Sequence, residues 1–136
     1  MKRFLFLTIA CLFSIWGMAQ SDTDTYVEVL YFHGAQRCIT CRAIEANTVA
    51  LLDSLYSQEK ANGKIIYKVV DISKKENEAI ADKYEVTWSS LFVNGWKDGK
   101  ENVNNMTEFS FSNARNAPDK FKEGIKSKID ELLKQL

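Results

Sequence analysis

The sequence predicts a single α/β domain in which helices flank a central, mixed four-stranded sheet. Three observations support this fold class. The chain has 136 residues, which suits one domain and not two. Apolar β-branched runs alternate with segments of helical periodicity, in the order β-α-β-α-β-β-α. The first β-α-β crossover implies parallel neighbours, and a later tight turn implies an antiparallel pair.

The first half of the domain is predicted to hold two strands joined by a long helix. Val27 to Phe32 is almost wholly apolar, as in a strand that is buried on both faces. A helix is expected from about Ile39 to Glu59, and Asn62-Gly63 ends it. Lys64 to Ile72 forms the second strand. The buried stripe of the helix is expected to comprise Cys41, Ile44, Thr48, Leu52 and Leu55.

The second half is predicted to begin with a capped helix and continue with two strands. Ser73 to Glu76 has the pattern of a capping box that opens the helix. Leu91 to Val93 is the core of a third strand, and Asn94-Gly95 is a hairpin-turn signal. A second turn pair, Asp98-Gly99, leaves the register open. The fourth strand is expected within 101–109.

The last predicted helix begins near Pro118, because proline suits the first turn of a helix. Its apolar positions recur at three- and four-residue spacing, which indicates one buried face. That face comprises Phe121, Ile125, Ile129, Leu132 and Leu136.

Residues 1–19 differ from the rest of the chain and are predicted to be a secretory signal peptide. A basic Lys2-Arg3 start is followed by an apolar run from Phe4 to Gly17, and Gly17-Met18-Ala19 offers small residues for cleavage. The run is short for a membrane span, which needs about 20 apolar residues. A lipoprotein signal at Cys11 fits less well, since few apolar residues precede it.

The mature protein is therefore expected to be exported, either periplasmic or secreted, with no membrane contact after cleavage. Polar residues 20–25 are expected to be a mobile N-terminus, and residues 26–136 the folded domain. The whole chain has 18 basic and 18 acidic residues. This balance gives no support for nucleic-acid binding, which depends on an excess of basic residues. The protein is expected to act as a monomer.

Cys38 and Cys41 remain after cleavage and are predicted to be reactive. A bridge over so short a loop adds little stability, whereas an oxidising compartment lets a cysteine pair persist as a disulfide. Cys38 falls at a helix start, where free backbone donors favour a thiolate. Arg37 and Arg42 flank the pair and are expected to lower the thiol pKa further. Cys38 would exchange with a partner's disulfide and Cys41 would resolve the mixed disulfide, without a cofactor.

The segment from Tyr31 to Cys41, with the long helix and the strand Tyr67 to Asp71 that follow, resembles the thioredoxin superfamily. The resemblance covers about residues 26–136 in element order, but its specific motif is confined to the Cys-x-x-Cys region. It implies a thioredoxin-like fold in which Cys38 is the accessible nucleophile and Cys41 the buried resolving thiol. It also implies a thiol-disulfide oxidoreductase that exchanges disulfides with a disulfide- or thiol-bearing protein or a small thiol, and a second partner that recharges it.

The sequence departs from the family's usual pattern around the motif. Arg37 stands where the family has a tryptophan, and Tyr31 or Phe32 stands where it has a buried acid. The family's cis-proline opposite the cysteines is missing, and Ser90, or Ser89, takes its place. A cis bond before a residue other than proline costs about 3 kcal/mol, so a trans peptide is expected.

His33 is the chain's only histidine and is predicted to lie in a loop below the motif. One interpretation is that it shifts the pKa of the neighbouring thiol. A second is that it packs or caps without a role in chemistry, and a third is that it serves as a metal ligand with Cys38 and Cys41. Two thiolates suit Cu(I) and other thiophilic ions. A soft-metal or metalloid-binding module is therefore the second functional hypothesis.

Trp88 and Trp96 leave two interpretations open. They line a partner-binding surface near the motif, or they pack around an edge of the sheet, as large aromatic side chains more often do. A non-catalytic binding module on a thioredoxin-like scaffold is a third hypothesis, because a fold does not fix a function.

Overall fold

A computed structural model describes residues 25–136. The predicted signal peptide, Cys11 and residues 20–24 lie outside the described residues. The elements in chain order are β1 (Tyr26–His33), α1 (Ile39–Leu55), α2 (Ser57–Ala61), β2 (Ile65–Asp71), α3 (Glu78–Lys83), β3 (Ser90–Lys97), β4 (Lys100–Asn102), α4 (Thr107–Asn113) and α5 (Pro118–Gln135). Within residues 25–136, no helix combines the length and apolarity that a membrane crossing needs.

The four strands form one mixed sheet in the order β2-β1-β3-β4. β1 runs parallel to β2, with Val27 opposite Ile65, and antiparallel to β3, with Phe32 opposite Ser90. β3 and β4 form an antiparallel hairpin. The predicted α/β class, the parallel crossover and the antiparallel pair are therefore confirmed.

The central strand β1 is buried on both faces, as its apolar sequence predicts. Val27, Val29 and Tyr31 face the larger core, which α1 and α5 cover. Leu30 and Phe32 face a smaller core on the other side of the sheet. Helices thus cover both faces of the sheet.

The first helix is shorter than predicted, because Tyr56 interrupts it. α1 ends at Leu55, and Tyr56 leaves the helical region with a φ of −129°. Its side chain is buried, and its hydroxyl donates to Asp130 Oδ1 on α5 at 2.6 Å. Leu55 is exposed, and Leu51 takes its place in the buried stripe.

The predicted capping box at Ser73 to Glu76 is wrong. Asp71 Oδ1 accepts hydrogen bonds from both the backbone N–H and the hydroxyl of Ser73, at 3.0 and 2.6 Å. These two bonds hold the pKa of the Asp71 carboxyl below its usual value. The Ser73 hydroxyl is therefore engaged by Asp71, a short 3₁₀ turn spans Lys75–Asn77, and α3 begins at Glu78.

Asn94-Gly95 lies inside β3 and is not a turn. The turn between β3 and β4 is the other candidate, Asp98-Gly99, where both residues have positive φ, at 53° and 73°. Gly95 has a different role. A Cβ placed there would lie 3.0 Å from Leu132 Cδ2, so the missing side chain lets α5 approach the sheet closely.

The region 101–109 holds less strand and more helix than predicted. β4 is only three residues long, and α4 begins at Thr107. The Asn105 side chain accepts the Thr107 backbone N–H at 3.0 Å, just before the helix. The last helix is as predicted, with Pro118 at its start. Of its five expected apolar positions, all but Leu136 are buried.

Candidate functional site

Cys38 and Cys41 lie at the junction between the central strand and the first helix. β1 ends at His33, and α1 begins directly after Cys38. The two cysteines form a disulfide, with their Cα atoms 5.0 Å apart. Cys38 is exposed, whereas only 6% of Cys41 is accessible. An incoming molecule therefore reaches the sulfur of Cys38 and not that of Cys41.

The backbone at the start of α1 is arranged to stabilise negative charge on the Cys38 sulfur. Cys38 is the N-cap residue, and its Sγ accepts the backbone N–H of Cys41 at 3.0 Å. The first N–H groups of a helix lack partners within the helix and form the positive end of its dipole. The first turn of α1 contains no acidic residue. The side chains of Ile39 and Arg42 are exposed beside the disulfide.

Tyr31 lies beneath the disulfide, in the larger core. Its hydroxyl donates to the Cys41 carbonyl at 2.9 Å, and the Ser89 side chain lies close enough to lower its pKa. Burial, and then the charge of Glu45, raise the pKa of Tyr31 above its ordinary value. The side chain therefore stays neutral and acts as a donor. Phe32, the other residue considered for this place, faces the opposite core.

Arg37 is held by two side chains next to the disulfide. Its Nη1 forms an ion pair with Glu45, and its Nη2 lies 2.6 Å from His33 Nε2. His33 Nδ1 lies 2.9 Å from the Gly34 carbonyl. Because a carbonyl only accepts and a guanidinium only donates, these two contacts suit the tautomer of His33 with its proton on Nδ1. Because Arg37 is paired with the Glu45 carboxylate, the positive and negative charges of these two side chains offset each other beside the cysteines.

His33 is not in a loop, as the sequence suggested, but is the buried last residue of β1. Both of its ring nitrogens are engaged. Among residues 25–136, no group of three or more His, Cys, Asp or Glu residues is placed to hold a metal ion. The alternative ligand set of Cys38, Cys41 and His33 is therefore not assembled in this structure.

The two serines considered for the missing proline have different contacts. Ser90 is the buried first residue of β3, and its hydroxyl donates to the Trp88 carbonyl at 3.1 Å. Ser89 is also buried, and its side chain lies close enough to Tyr31 to lower the pKa of that hydroxyl. No peptide bond within residues 25–136 is cis. The Trp88 side chain lies at the surface and does not pack into the sheet edge.

The sequence did not reveal Glu45 and Tyr67 as neighbours of the site. Glu45 follows Cys41 by four residues, so helical spacing alone places it on the same side of α1. Tyr67 lies on β2, and its hydroxyl is buried without a hydrogen-bond partner in the described part of the chain. Burial, followed by the charge of Glu45, raises the pKa of Tyr67 far above its ordinary value. The alternation of β2 is the signal that could have located it.

Comparisons with known proteins name no family for the chain. No protein-family model matches it, and no curated protein matches it. One solved structure that matches is described as "Structure of a malarial protein"; it is 21% identical, with a TM-score of 0.43, and the match covers 60% of this chain and 82% of that chain. Such a similarity carries no functional conclusion. The chain's own features, a Cys-x-x-Cys disulfide at a helix start and a small mixed sheet, fit a thioredoxin-like fold.

Proposed function

We propose that this protein is a thioredoxin-like thiol-disulfide oxidoreductase that exchanges disulfides with a protein partner through Cys38 and Cys41. One observation carries the proposal. The two sulfurs form a disulfide in which Cys38 is exposed at a helix N-terminus and Cys41 is buried one turn later. An accessible sulfur that accepts a helical N–H suits the attacking thiolate, and a neighbouring sheltered thiol suits the resolving step.

The exchange proceeds in two displacements that conserve electrons. The Cys38 thiolate attacks one sulfur of a partner disulfide, a new S–S bond forms, and the second partner sulfur leaves as a thiolate. Cys41 then loses its proton to solvent and attacks Cys38 Sγ. This step closes the internal disulfide and releases the partner's other thiolate. The protein is thereby oxidised by two electrons and the partner disulfide is reduced, and the same steps in reverse oxidise a partner dithiol.

Export belongs to this proposal. Its support is the sequence pattern of residues 1–19. Export would also suit the disulfide, because an exported protein meets an oxidising compartment in which such a bond persists. A periplasmic or secreted monomer would need a second partner to reset the cysteines after each exchange. The direction of that exchange depends on the reduction potential of the pair and of this partner.

Trapping variants test the proposal directly. Without its resolving thiol, Cys41→Ser is expected to accumulate mixed disulfides through Cys38, visible on non-reducing gels and reversed by dithiothreitol. Cys38→Ser is the matched control and should trap far less, since Cys41 is buried. The wild-type pair should equilibrate with glutathione redox buffers and give a defined reduction potential.

Two other results would contradict the redox proposal. If neither variant traps a partner and the reduced wild-type protein binds Cu(I) tightly, the cysteines serve metal binding. If the cysteines neither exchange nor bind metal, the protein is a binding module on this scaffold.

A further inference from the structure

A surface groove of about 750 Å³ opens between the segment 84–92 and the segment 105–112, which includes α4. We call it the Trp88 groove. Trp88 and Phe111 form an aromatic wall, and Ser90, which pairs with Phe32 near the end of β1, also lines the groove. The redox chemistry described above does not require this groove.

The Trp88 groove is connected to the disulfide through Tyr31. The Tyr31 hydroxyl donates to the Cys41 carbonyl, and in the sheet Tyr31 pairs with Leu91 and Phe32 with Ser90, next to Ser89. Ser89 lies between Trp88 and Ser90, which both line the groove, and consecutive Cα atoms are about 3.8 Å apart. An extended chain covers about 3.3 Å per residue. A polypeptide joined to Cys38 through its own cysteine can therefore extend along the end of β1 toward the groove.

The aromatic wall of the groove consists of two stacked rings and is exposed to solvent. Trp88 is 62% exposed, yet its ring stacks on Phe111 with a centroid distance of 5.4 Å and an interplanar angle of 14°. Exposed tryptophan is typical of residues that anchor a partner. Its face attracts both apolar side chains and cations, the latter through the ring quadrupole.

The charge of the groove selects among possible occupants. Glu85 and Glu108 are the charged side chains that line it, and none of the described lining residues is basic. Two carboxylates beside an aromatic face favour lysine or arginine, and they disfavour an anionic disulfide such as oxidised glutathione.

We propose that the Trp88 groove binds a basic segment of the protein partner, in which lysine or arginine lies a few residues from the reactive cysteine. The inference rests on the proposed function, because it names the class of substrate that the cysteines serve. The partner's cysteine reacts at Cys38 while its basic side chains lie against Trp88, Glu85 and Glu108.

Disulfide exchange with paired peptides tests this inference. Two short peptides contain one cysteine each and differ only in having lysines or glutamates around it, and each is supplied as a mixed disulfide with thionitrobenzoate. The Cys38 thiolate of the reduced protein bonds to the peptide sulfur and releases coloured thionitrobenzoate, the better leaving group. At low ionic strength the lysine peptide is expected to react about tenfold faster. Added salt should shrink the difference.

Charge variants connect the preference to the groove. The double variant Glu85→Gln/Glu108→Gln should lower the lysine preference to about twofold or less, since both groove carboxylates are removed. Glu59→Gln/Glu123→Gln removes the same charge from α2 and α5, outside the groove, and should keep the preference. Equal rates for the two peptides in the wild type, or an undiminished preference in the groove variant, would overturn the inference while leaving the redox proposal intact.

A binding measurement separates this inference from the redox proposal. The same peptides with serine in place of cysteine are titrated into the oxidised protein, and the indole N–H signal of Trp88 is followed by NMR. The lysine form should shift this signal and the glutamate form should not. If no peptide disulfide reacts at all, the redox proposal fails, and this titration alone decides whether a basic segment binds. An unshifted Trp88 signal then overturns the inference as well.

Discussion

Two tyrosine hydroxyls lie near the disulfide in the same core, and their hydrogen bonding differs. Tyr31 Oη donates to the Cys41 carbonyl at 2.9 Å, so it joins β1 to α1. Tyr67 Oη is buried, and no group within residues 25–136 bonds to it. A satisfied buried hydroxyl stabilises a fold modestly, whereas an unsatisfied one costs free energy. The two tyrosines therefore contribute to stability with opposite sign.

Replacing each tyrosine by phenylalanine is expected to separate these contributions. Tyr31→Phe keeps the ring but loses the hydrogen bond to the buried Cys41 carbonyl, and should lower the free energy of unfolding by about 1 to 2 kcal/mol. Tyr67→Phe removes a hydroxyl that has no partner, and should leave stability unchanged or raise it by up to about 1 kcal/mol. Urea unfolding of the oxidised proteins, followed by circular dichroism, measures both. An equal loss of stability in the two variants would refute the assignment.

At the scale of elements, the spacing of apolar residues located correctly the strands and helices whose buried faces follow that spacing. β1 and α5 have apolar positions that suit the faces they bury, and both were located correctly. α4 was missed because Glu108 to Ser112 alternates between polar and apolar residues, which is the pattern of a strand. The helix forms because Phe109 packs against the larger core, where its ring stacks on Phe121 of α5, and because Ser110 is fully buried. Tertiary packing there outweighs the local pattern.

The candidate site shows the same division between local and distant information. The position of Cys38 at a helix start follows from adjacent residues and was predicted. The pairing of Arg37 with Glu45, and the proximity of Tyr31 to Ser89, depend on how separate segments meet. The spacing of residues along one segment does not predict such contacts between segments. Local reasoning therefore located the sulfurs but not the groups that surround them.

Gly124 is expected to be required for the packing of α4 against α5. A Cβ there would overlap the Phe109 ring, with Cε1 only 2.6 Å away. Alanine normally stabilises a helix interior by about 1 kcal/mol relative to glycine, but the clash should make Gly124→Ala destabilising by about 1 to 3 kcal/mol. Ser127→Ala on the exposed side of α5 is the control, and should be neutral or slightly stabilising. Urea unfolding measures both variants.

A second substitution shows whether the Phe109 ring is the cause. In the background of Phe109→Ala, Gly124→Ala should become neutral or stabilising, because the overlapping ring is gone. A coupling free energy near zero in this double-mutant cycle would contradict the proposed contact.

On the scale of the whole molecule, tyrosines connect elements that are distant in the sequence. Tyr56 joins the end of α1 to Asp130 on α5, and Tyr84 packs on Phe32 and Phe92 beneath the other face of the sheet. Burial raises the pKa of both tyrosines, and a hydrogen bond to a carboxylate raises each further. Tyr31 and Tyr67 have raised pKa values as well, chiefly through burial. Ionising any of the four would place a phenolate in a core or beside a carboxylate.

The protein is therefore expected to lose stability in alkali, above about pH 10. An unfolded tyrosine ionises near pH 10, while the folded state keeps these protons, so the folded state binds more protons and the free energy of unfolding falls as pH rises. Each buried tyrosine contributes at most about 1.4 kcal/mol per pH unit. Urea midpoints between pH 8 and about pH 11, together with tyrosinate absorbance, measure the effect. Tyr56→Phe should flatten the alkaline slope, and an unchanged slope in that variant would show that Tyr56 does not contribute to it.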